Sequence, residues 1–375
     1  MKRKILILGG GQSQVDLAIE AKKKDLEVYV IGGNLVDDIK QHTDHFEKID
    51  IRDKDKVKNY VIENEIDFIF TMGLETALPI ITEISEELNL PNFFSSESLE
   101  KFNDKYKWRK ELGDIEGNLK SQSAKKLENL ESWDIYPAFL KPVDGSGQRG
   151  VYRVENFDDV KTVFDKSIKF SKSGTLIIEE YAGGYEISVN SFMVDNDLVN
   201  YIISDRISYT EYPGGIIKAH IIKPNIVSDE LDEKIRKLVL TVNQKMGFEN
   251  GHIYFQMKID GDKVNLIEFT PRYDGCHMWK LINYATDINF VQMSLDFLLD
   301  HKPEIKENII KDGVFITKFI SDKPHTIVDK SKYELPSEYL DLHWYYKDGD
   351  KVKSVTGYME KIGYYMIRED IPSKE

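Results

Sequence analysis

The sequence predicts a mixed fold of α/β and α+β type. A doubly wound parallel α/β unit comes first, an α+β body follows, and a small β-rich cap ends the chain. Three observations carry this. Residues 1–98 alternate short apolar runs with helical spacing, the pattern of a parallel sheet. Residues 99–312 return to strands without that strict alternation, and two of those strands flank the hairpin signal Asp260-Gly261-Asp262. Residues 313–375 hold only short strand signals and a Lys347-Asp348-Gly349-Asp350 turn.

The elements follow in order. Lys4–Leu8 (KILIL) is a short apolar run that ends at Gly9-Gly10-Gly11, so it reads as a buried parallel strand. Val15, Leu17, Ala18 and Ala21 keep near-helical spacing up to Lys22–Lys24. Leu26–Ile31 is a second strand, ended by Gly32-Gly33, and Phe46–Ile49 a third. Lys54–Asn64 is helical, Asp67–Met72 is a strand, and a helix runs on through Leu88. Residues 99–130 are polar with helical character, broken at Gly113 and Gly117. Strand signals resume at Ala138–Lys141, Gly150–Val154, Leu176–Glu179 and Glu186–Val194. A helix over Asp229–Met246 precedes strands Gly251–Ile259 and Lys263–Phe269, and another helix spans roughly 277–300. No repeat and no flexible linker interrupts the chain, so the units are expected to pack together.

Composition narrows the function classes. At 375 residues the length suits two or three domains, and 41% hydrophobic residues supply material for real cores. Lys and Arg number 51 against 65 Asp and Glu, a formal net charge of −14. That field opposes a polyanion surface and disfavours nucleic acid as a partner. No apolar run reaches the roughly 18 residues of a membrane span. The start MKRKILILGGG is too short in apolar residues for a secretory leader. Cys276 is the one cysteine, which excludes intramolecular disulfides and Cys-rich metal sites. A cytoplasmic home is expected.

Gly9-x-Gly11 after a strand invites a dinucleotide reading. The fingerprint needs a small third residue where this chain has Gln14, and an acidic residue where it has Gly32-Gly33-Asn34. A glycine-lined wall of a substrate pocket, from Gly10 and Gly11, fits better. No P-loop is present. His42 and His45 lack a third ligand and read as surface histidines.

Four segments in order carry chemistry. Asn103-Asp104-Lys105-Tyr106-Lys107 lies on a helix. Phe139-Leu140-Lys141-Pro142 leads into Asp144-Gly145-Ser146-Gly147-Gln148-Arg149-Gly150-Val151, a glycine loop whose N–H groups can close on phosphate oxygens while Lys141 adds a point charge. Ile177-Ile178-Glu179-Glu180-Tyr181-Ala182-Gly183-Gly184-Tyr185-Glu186 runs from a strand into a connector whose backbone can pair with a base edge, and Glu186 can accept from a ribose hydroxyl. Gln256 and Glu268 sit on adjacent strands and can face one point, a hard-oxygen pair suited to Mg²⁺, and Thr270-Pro271-Arg272 follows.

In this order the segments resemble the ATP-grasp superfamily over roughly residues 1–310. KPVDGSGQRGV and Glu268-x-x-x-Arg272 are most similar to its carbamoyl-phosphate-synthetase-like and carboxylate-amine-ligase-like branches, as is EFTPRYDGCHMWKL. The resemblance implies a pre-ATP-grasp domain over 1–98, an ATP-grasp domain over 99–312 with a mobile lid at about 114–182, and a β-rich segment over 313–375. It implies that Lys105 and Lys141 hold ATP phosphates under a loop of Gly145, Ser146, Gly147 and Gly150. Glu179, Glu180, Tyr181 and Ala182 would border adenine, Glu186 the ribose, and Arg272 the transferred phosphoryl group. Gln256 and Glu268 would bind Mg²⁺, or Mn²⁺ in its place. Thr270 stands where the family has Asn, which weakens a second metal position.

The expected activity is ATP-dependent ligation, with a carboxylate activated as an acyl phosphate and passed to an amine or similar nucleophile. Carboxylation or phosphoryl transfer on the same scaffold, or nucleotide sensing without turnover, are the alternatives. Lys141 and Arg272 are expected to act on the reacting groups and His277 to orient substrate. Glu75 follows a parallel strand where α/β folds place ligands, and Asp205-Arg206 can bind a substrate carboxylate or form a surface pair, so Glu75 and Arg206 join Gly10 and Gly11 as substrate-site candidates. The expected partners are small molecules, with homodimerisation as the common default.

Overall fold

The computed structural model describes residues 2–33, 36–145, 149–212 and 215–371. Strands β1 (Lys4–Leu8), β2 (Glu27–Ile31), β3 (His45–Glu47) and β4 (Phe68–Phe70) form a parallel sheet in the order β3-β2-β1-β4. Helices α1 (Gln12–Lys23) and α2 (Lys54–Glu63) make crossovers between its strands, and α3 (Leu78–Leu88) follows β4. β1 is apolar after Lys4 because both its faces are covered: Ile5 and Ile7 join one core cluster, Leu6 and Leu8 another. Gln14 closes the glycine turn after β1. Its Oε1 accepts from the Gly11 N–H at 3.0 Å, and its Nε2 donates to the Met72 carbonyl at 2.6 Å. The residue that breaks the dinucleotide fingerprint thus fills the mouth of α1.

Helices α4 (Ser96–Phe102) and α5 (Lys105–Leu112) lead to a second, antiparallel sheet of β5 (Ser121–Ala124), β6 (Ala138–Pro142), β7 (Tyr152–Val154) and β8 (Leu176–Glu180), ordered β5-β8-β6-β7. Helix α6 (Phe157–Ile168) covers it, and Leu130, Trp133, Val160 and Phe164 give the sheet its own core. The expectation of helix through residue 130 fails here. The chain leaves α5 at Gly113, and Ser-Gln-Ser-Ala then pairs as an edge strand. A polar edge strand of four residues carries no alternation to read.

The third sheet holds eight antiparallel strands: β9 (Tyr185–Val194), β10 (Asp197–Ser208), β11 (Ile217–Ile222), β12 (Gly251–Asp260), β13 (Lys263–Thr270), β14 (Val314–Asp322), β15 (Asp341–Trp344) and β16 (Glu360–Glu369). Their order is β13-β12-β9-β10-β11-β14-β16-β15, so the C-terminal strands extend this sheet instead of standing off as a cap. Helix α7 (Asp229–Met246) packs with α4 and α5 on one face, through Leu99, Trp108, Val239 and Phe269. Helices α8 (Met278–Thr286) and α9 (Phe290–Leu298) cover the other face together with α1. The single helix expected at 277–300 is two, because Asp287 turns left-handed at φ +62° and Asn289 caps α9. The parallel sheet and the large sheet share one core, in which Ile5 and Val15 join Phe192, Phe290 and Tyr364. Among the described residues, no helix is long and apolar enough to cross a membrane.

Candidate functional site

A cavity of about 500 Å³ lies between the second sheet and the large sheet. Lys141 on β6 and Glu179 on β8 reach it from the second sheet, and Glu186, Gln256 and Glu268 from β9, β12 and β13. Gly184 lets the connector between β8 and β9 pass close over β12. Its φ is +84°, and a Cβ there would stand 1.8 Å from the Ile259 carbonyl oxygen.

Charge is unbalanced at the Lys141 end of the cavity, its outer end, where β6, β8 and α5 meet. Glu179 pairs with Lys141 and, at 3.0 Å, with Nε of Arg109, and all three side chains are nearly or wholly buried. Arg109 spends its other nitrogens on Asn118 and the Leu266 and Ile267 carbonyls. Burial would raise the Glu179 carboxyl, but Lys141 and Arg109 outweigh it and hold it at about 2. Burial lowers Lys141, with Glu179 opposing and Arg109 and Lys105 adding to the fall. Two cations on one carboxylate leave one surplus positive charge in a low dielectric, which an anionic ligand would neutralise. Lys105 adds to it. Asp104 caps α5 by accepting from Tyr106 and Lys107 N–H at 2.8 and 3.0 Å, so the lysine stands at a fixed helix start. Its Nζ donates to the Gly145 carbonyl at 2.9 Å and lies 3.5 Å from Glu268.

Opposite stands a carboxylate and amide group. Gln256 and Glu268 are register partners on β12 and β13. Gln256 Nε2 donates to Glu186 at 2.6 Å, which leaves its own carbonyl oxygen for a cation. The Glu268 side chain is 50% exposed, with Lys105 beside it. These hard oxygens fit one Mg²⁺. Thr270 does not border the cavity; its hydroxyl donates to Glu75 at 3.3 Å. Glu75 also takes Arg272 Nε at 3.4 Å, and Arg272 borders the cavity.

Other expected residues divide. Gly145, Glu180 and Ala182 border the cavity. Glu180 also accepts from Lys120 N–H at 3.0 Å. The Tyr181 N–H is already given to the Pro137 carbonyl at 3.0 Å, and its ring lies between Arg153 and Lys258. Gly150 packs under Phe170 and does not border the cavity. Ser146 and Gly147 lie outside the described residues. Gly10 and Gly11 stand apart from the cavity, at the start of α1. His277 does too: it is buried, with Nδ1 3.2 Å from Asp16 and Nε2 2.9 Å from the Tyr345 hydroxyl.

The inner end of the cavity was less legible. Arg206 on β10 was expected. Tyr254, Asp274, Cys276 and Lys361 border it as well, with His220 behind them. Asp274 sits two residues past Arg272, a signal that was present in the sequence. Lys361 arrives on β16 from the far end of the chain, with no motif around it. Arg109 was also missed, because a helical arginine reads as solvated surface.

Residues 135–278 match the ATP-grasp domain family. A formate-dependent phosphoribosylglycinamide formyltransferase of Prochlorococcus marinus is 25% identical over 295 residues, 76% of this chain and 73% of that protein. Among solved structures, a phosphoribosylglycinamide synthetase of Anaerococcus prevotii superposes with a TM-score of 0.80 at 19% identity, over 99% of this chain and 95% of that one. An L-amino acid ligase of Bacillus licheniformis gives 0.79 at 19% identity, over 99% and 94%.

Proposed function

We propose that this chain, a member of the ATP-grasp superfamily, is an ATP-dependent ligase that activates a carboxylate as an acyl phosphate and joins it to an amine or similar nucleophile. One observation carries the reading: the surplus positive charge of Lys141, Glu179 and Arg109 faces the Gln256–Glu268 pair across a single cavity. The difficulty of the reaction is bringing two anions together. Lys105 and Lys141 hold the phosphates and Arg272 meets the transferred group, so the field is set before reaction. Glu180 and Ala182 border the base, and Glu186 retains acceptor lone pairs for a ribose hydroxyl. Gln256 and Glu268 would hold Mg²⁺, which supplies neutralisation of phosphate charge. Water must be kept from the reacting groups, because an acyl phosphate hydrolyses readily. The names of the formyltransferase and the L-amino acid ligase support the same reaction class.

The test is ADP and phosphate release from purified protein with ATP, Mg²⁺ and a panel of carboxylates and amines. Substrate-dependent ADP is expected. Lys141→Ala and Glu268→Ala should each lower turnover by about 10²-fold or more while the fold survives. Full turnover in both variants would overturn the assignment. A second reading, nucleotide sensing without turnover, rests on the Thr270 hydroxyl being committed to Glu75. ATP binding by calorimetry with no ADP from any substrate would favour it.

A further inference from the structure

Three buried side chains at the inner end of the cavity each keep a polar atom without a partner among the described residues. They are Nε of Arg206, Oδ2 of Asp274 and Nε2 of His220. Their side chains are 9%, 4% and 0% exposed. They form one group. Arg206 and His220 are register partners on β10 and β11, which puts them on one face of the sheet. His220 Nε2 lies 4.0 Å from Asp274 Oδ2. Lys361 Nζ borders the same space and donates to Cys276 Sγ at 3.4 Å. Buried polar atoms cost stability unless they are met, and three gathered at one end of a cavity need a ligand that meets them.

The signs of the charges select that ligand. A simple anion would suit Arg206 and Lys361 but would face Asp274. A simple cation would suit Asp274 but would face Arg206, Lys361 and Arg272. A metal ion on His220, Asp274 and Cys276, whose ligand atoms lie within 4.8 Å of one another, meets the same objection. A molecule carrying both charges a short distance apart satisfies both sides. We infer that the inner end binds an α-amino acid as its zwitterion, the amine nucleophile of the ligation, with its carboxylate on Arg206 and Lys361 and its ammonium on Asp274. This rests on the ligase reading above. The Glu186 carboxylate, which takes Arg206 Nη1 at 2.5 Å and Gln256 at 2.6 Å, joins this end to the nucleotide end. Burial also raises the Asp274 carboxyl, which suits it to take a proton.

The step then balances. Asp274 takes one proton from the ammonium, and the freed amine attacks the acyl carbon. The C–N bond forms, the C–O bond to phosphate breaks with its electron pair on phosphate, and the second nitrogen proton leaves with that phosphate.

Calorimetric binding tests the inference, without nucleotide and with a non-hydrolysable ATP analogue plus Mg²⁺. The probes are the twenty standard L-amino acids, then the amide and the 2-hydroxy acid of each binder. At least one amino acid should bind, and its amide and hydroxy acid should each bind about tenfold more weakly or worse. Asp274→Asn and Lys361→Met should each weaken the amino acid by a similar factor, while analogue binding shows that both variants are folded. No binding by any amino acid at about 10 mM, above ordinary KM values, would overturn the inference. So would equal binding of the amide and the acid, or Zn²⁺ binding lost in both Asp274→Asn and His220→Ala. The ligase reading is judged separately. It fails if the analogue does not bind, and it stands if ADP release responds to amines that are not amino acids.

Discussion

His252 lies buried, stacked on Tyr273 at 4.0 Å and edge-on to Phe290. Burial lowers this imidazole from 6.5 to about 3, and burial lowers His220 as well, with Arg206 and Lys361 adding to it. A histidine depressed in the fold takes up its proton more readily when unfolded. The stability from keeping it neutral is therefore full above about 6.5 and drains as pH falls toward about 3. Glu179 acts in a lower window: its contribution is full above 4.5 and drains as pH falls through about 2. Between pH 6.5 and 4.5 the buried histidines therefore set much of the slope. His252→Phe should cost less than about 1.5 kcal/mol at neutral pH, since the surroundings are aromatic. It should also flatten the stability–pH curve between pH 6.5 and 4.5 by up to about 1.4 kcal/mol per unit. Urea melts of both proteins across that range measure it, and parallel curves would refute the assignment.

Helix α5 shows how an element serves the site, since its cap fixes where Lys105 begins. Asp104→Ala removes two charge-assisted bonds to helix N–H groups. It should cost about 1 kcal/mol of stability and weaken nucleotide binding several-fold, because the first turn frays. Thermal melts and calorimetry on one sample check both, and a stability loss with unchanged affinity would separate the cap from the site. Legibility also divides by element. Continuous apolar strands such as KILIL and DFIFTM, with glycines or helices after them, were readable because both faces are buried. The Asp260-Gly261-Asp262 turn gave the β12–β13 hairpin, and with it the pairing of Gln256 with Glu268. Strand β5 was not readable, because an edge strand need not alternate, and neither was the break between α8 and α9, where no glycine or proline marks the turn. At the site, motifs revealed the outer end of the cavity. The inner end depends on which strands the large sheet brings together, and local sequence does not encode that pairing.

At the scale of the molecule, a formal charge of −14 coexists with a cavity where Lys105, Lys141, Arg206, Arg272 and Lys361 gather. Glu179, Glu180, Glu186, Glu268 and Asp274 line it too, but the acidic surplus of the chain lies outside the cavity, which keeps its own field. One polar knot ties the ends of the chain together around it. Asp16 on α1 meets His277, Trp279 and Lys280, and Lys280 reaches Asp341 and Tyr364 on the C-terminal strands. Burial would raise the Asp16 carboxyl, but bonding to His277 and the Lys280 charge hold it below the ordinary carboxylate range. The knot sits beside a core shared by the first sheet and the large sheet, so these two should unfold as one cooperative unit. Asp16→Ala leaves the buried Trp279 N–H and part of the Lys280 charge unmet. It should cost about 3–5 kcal/mol, the range for breaking a buried pair on one side. Scanning calorimetry should show that loss as a lower Tm of the transition that melts the large sheet. If the N-terminal unit melts ahead of the large sheet in the unmodified protein, the shared core does not couple them, and the Asp16 loss would then appear in the early transition alone.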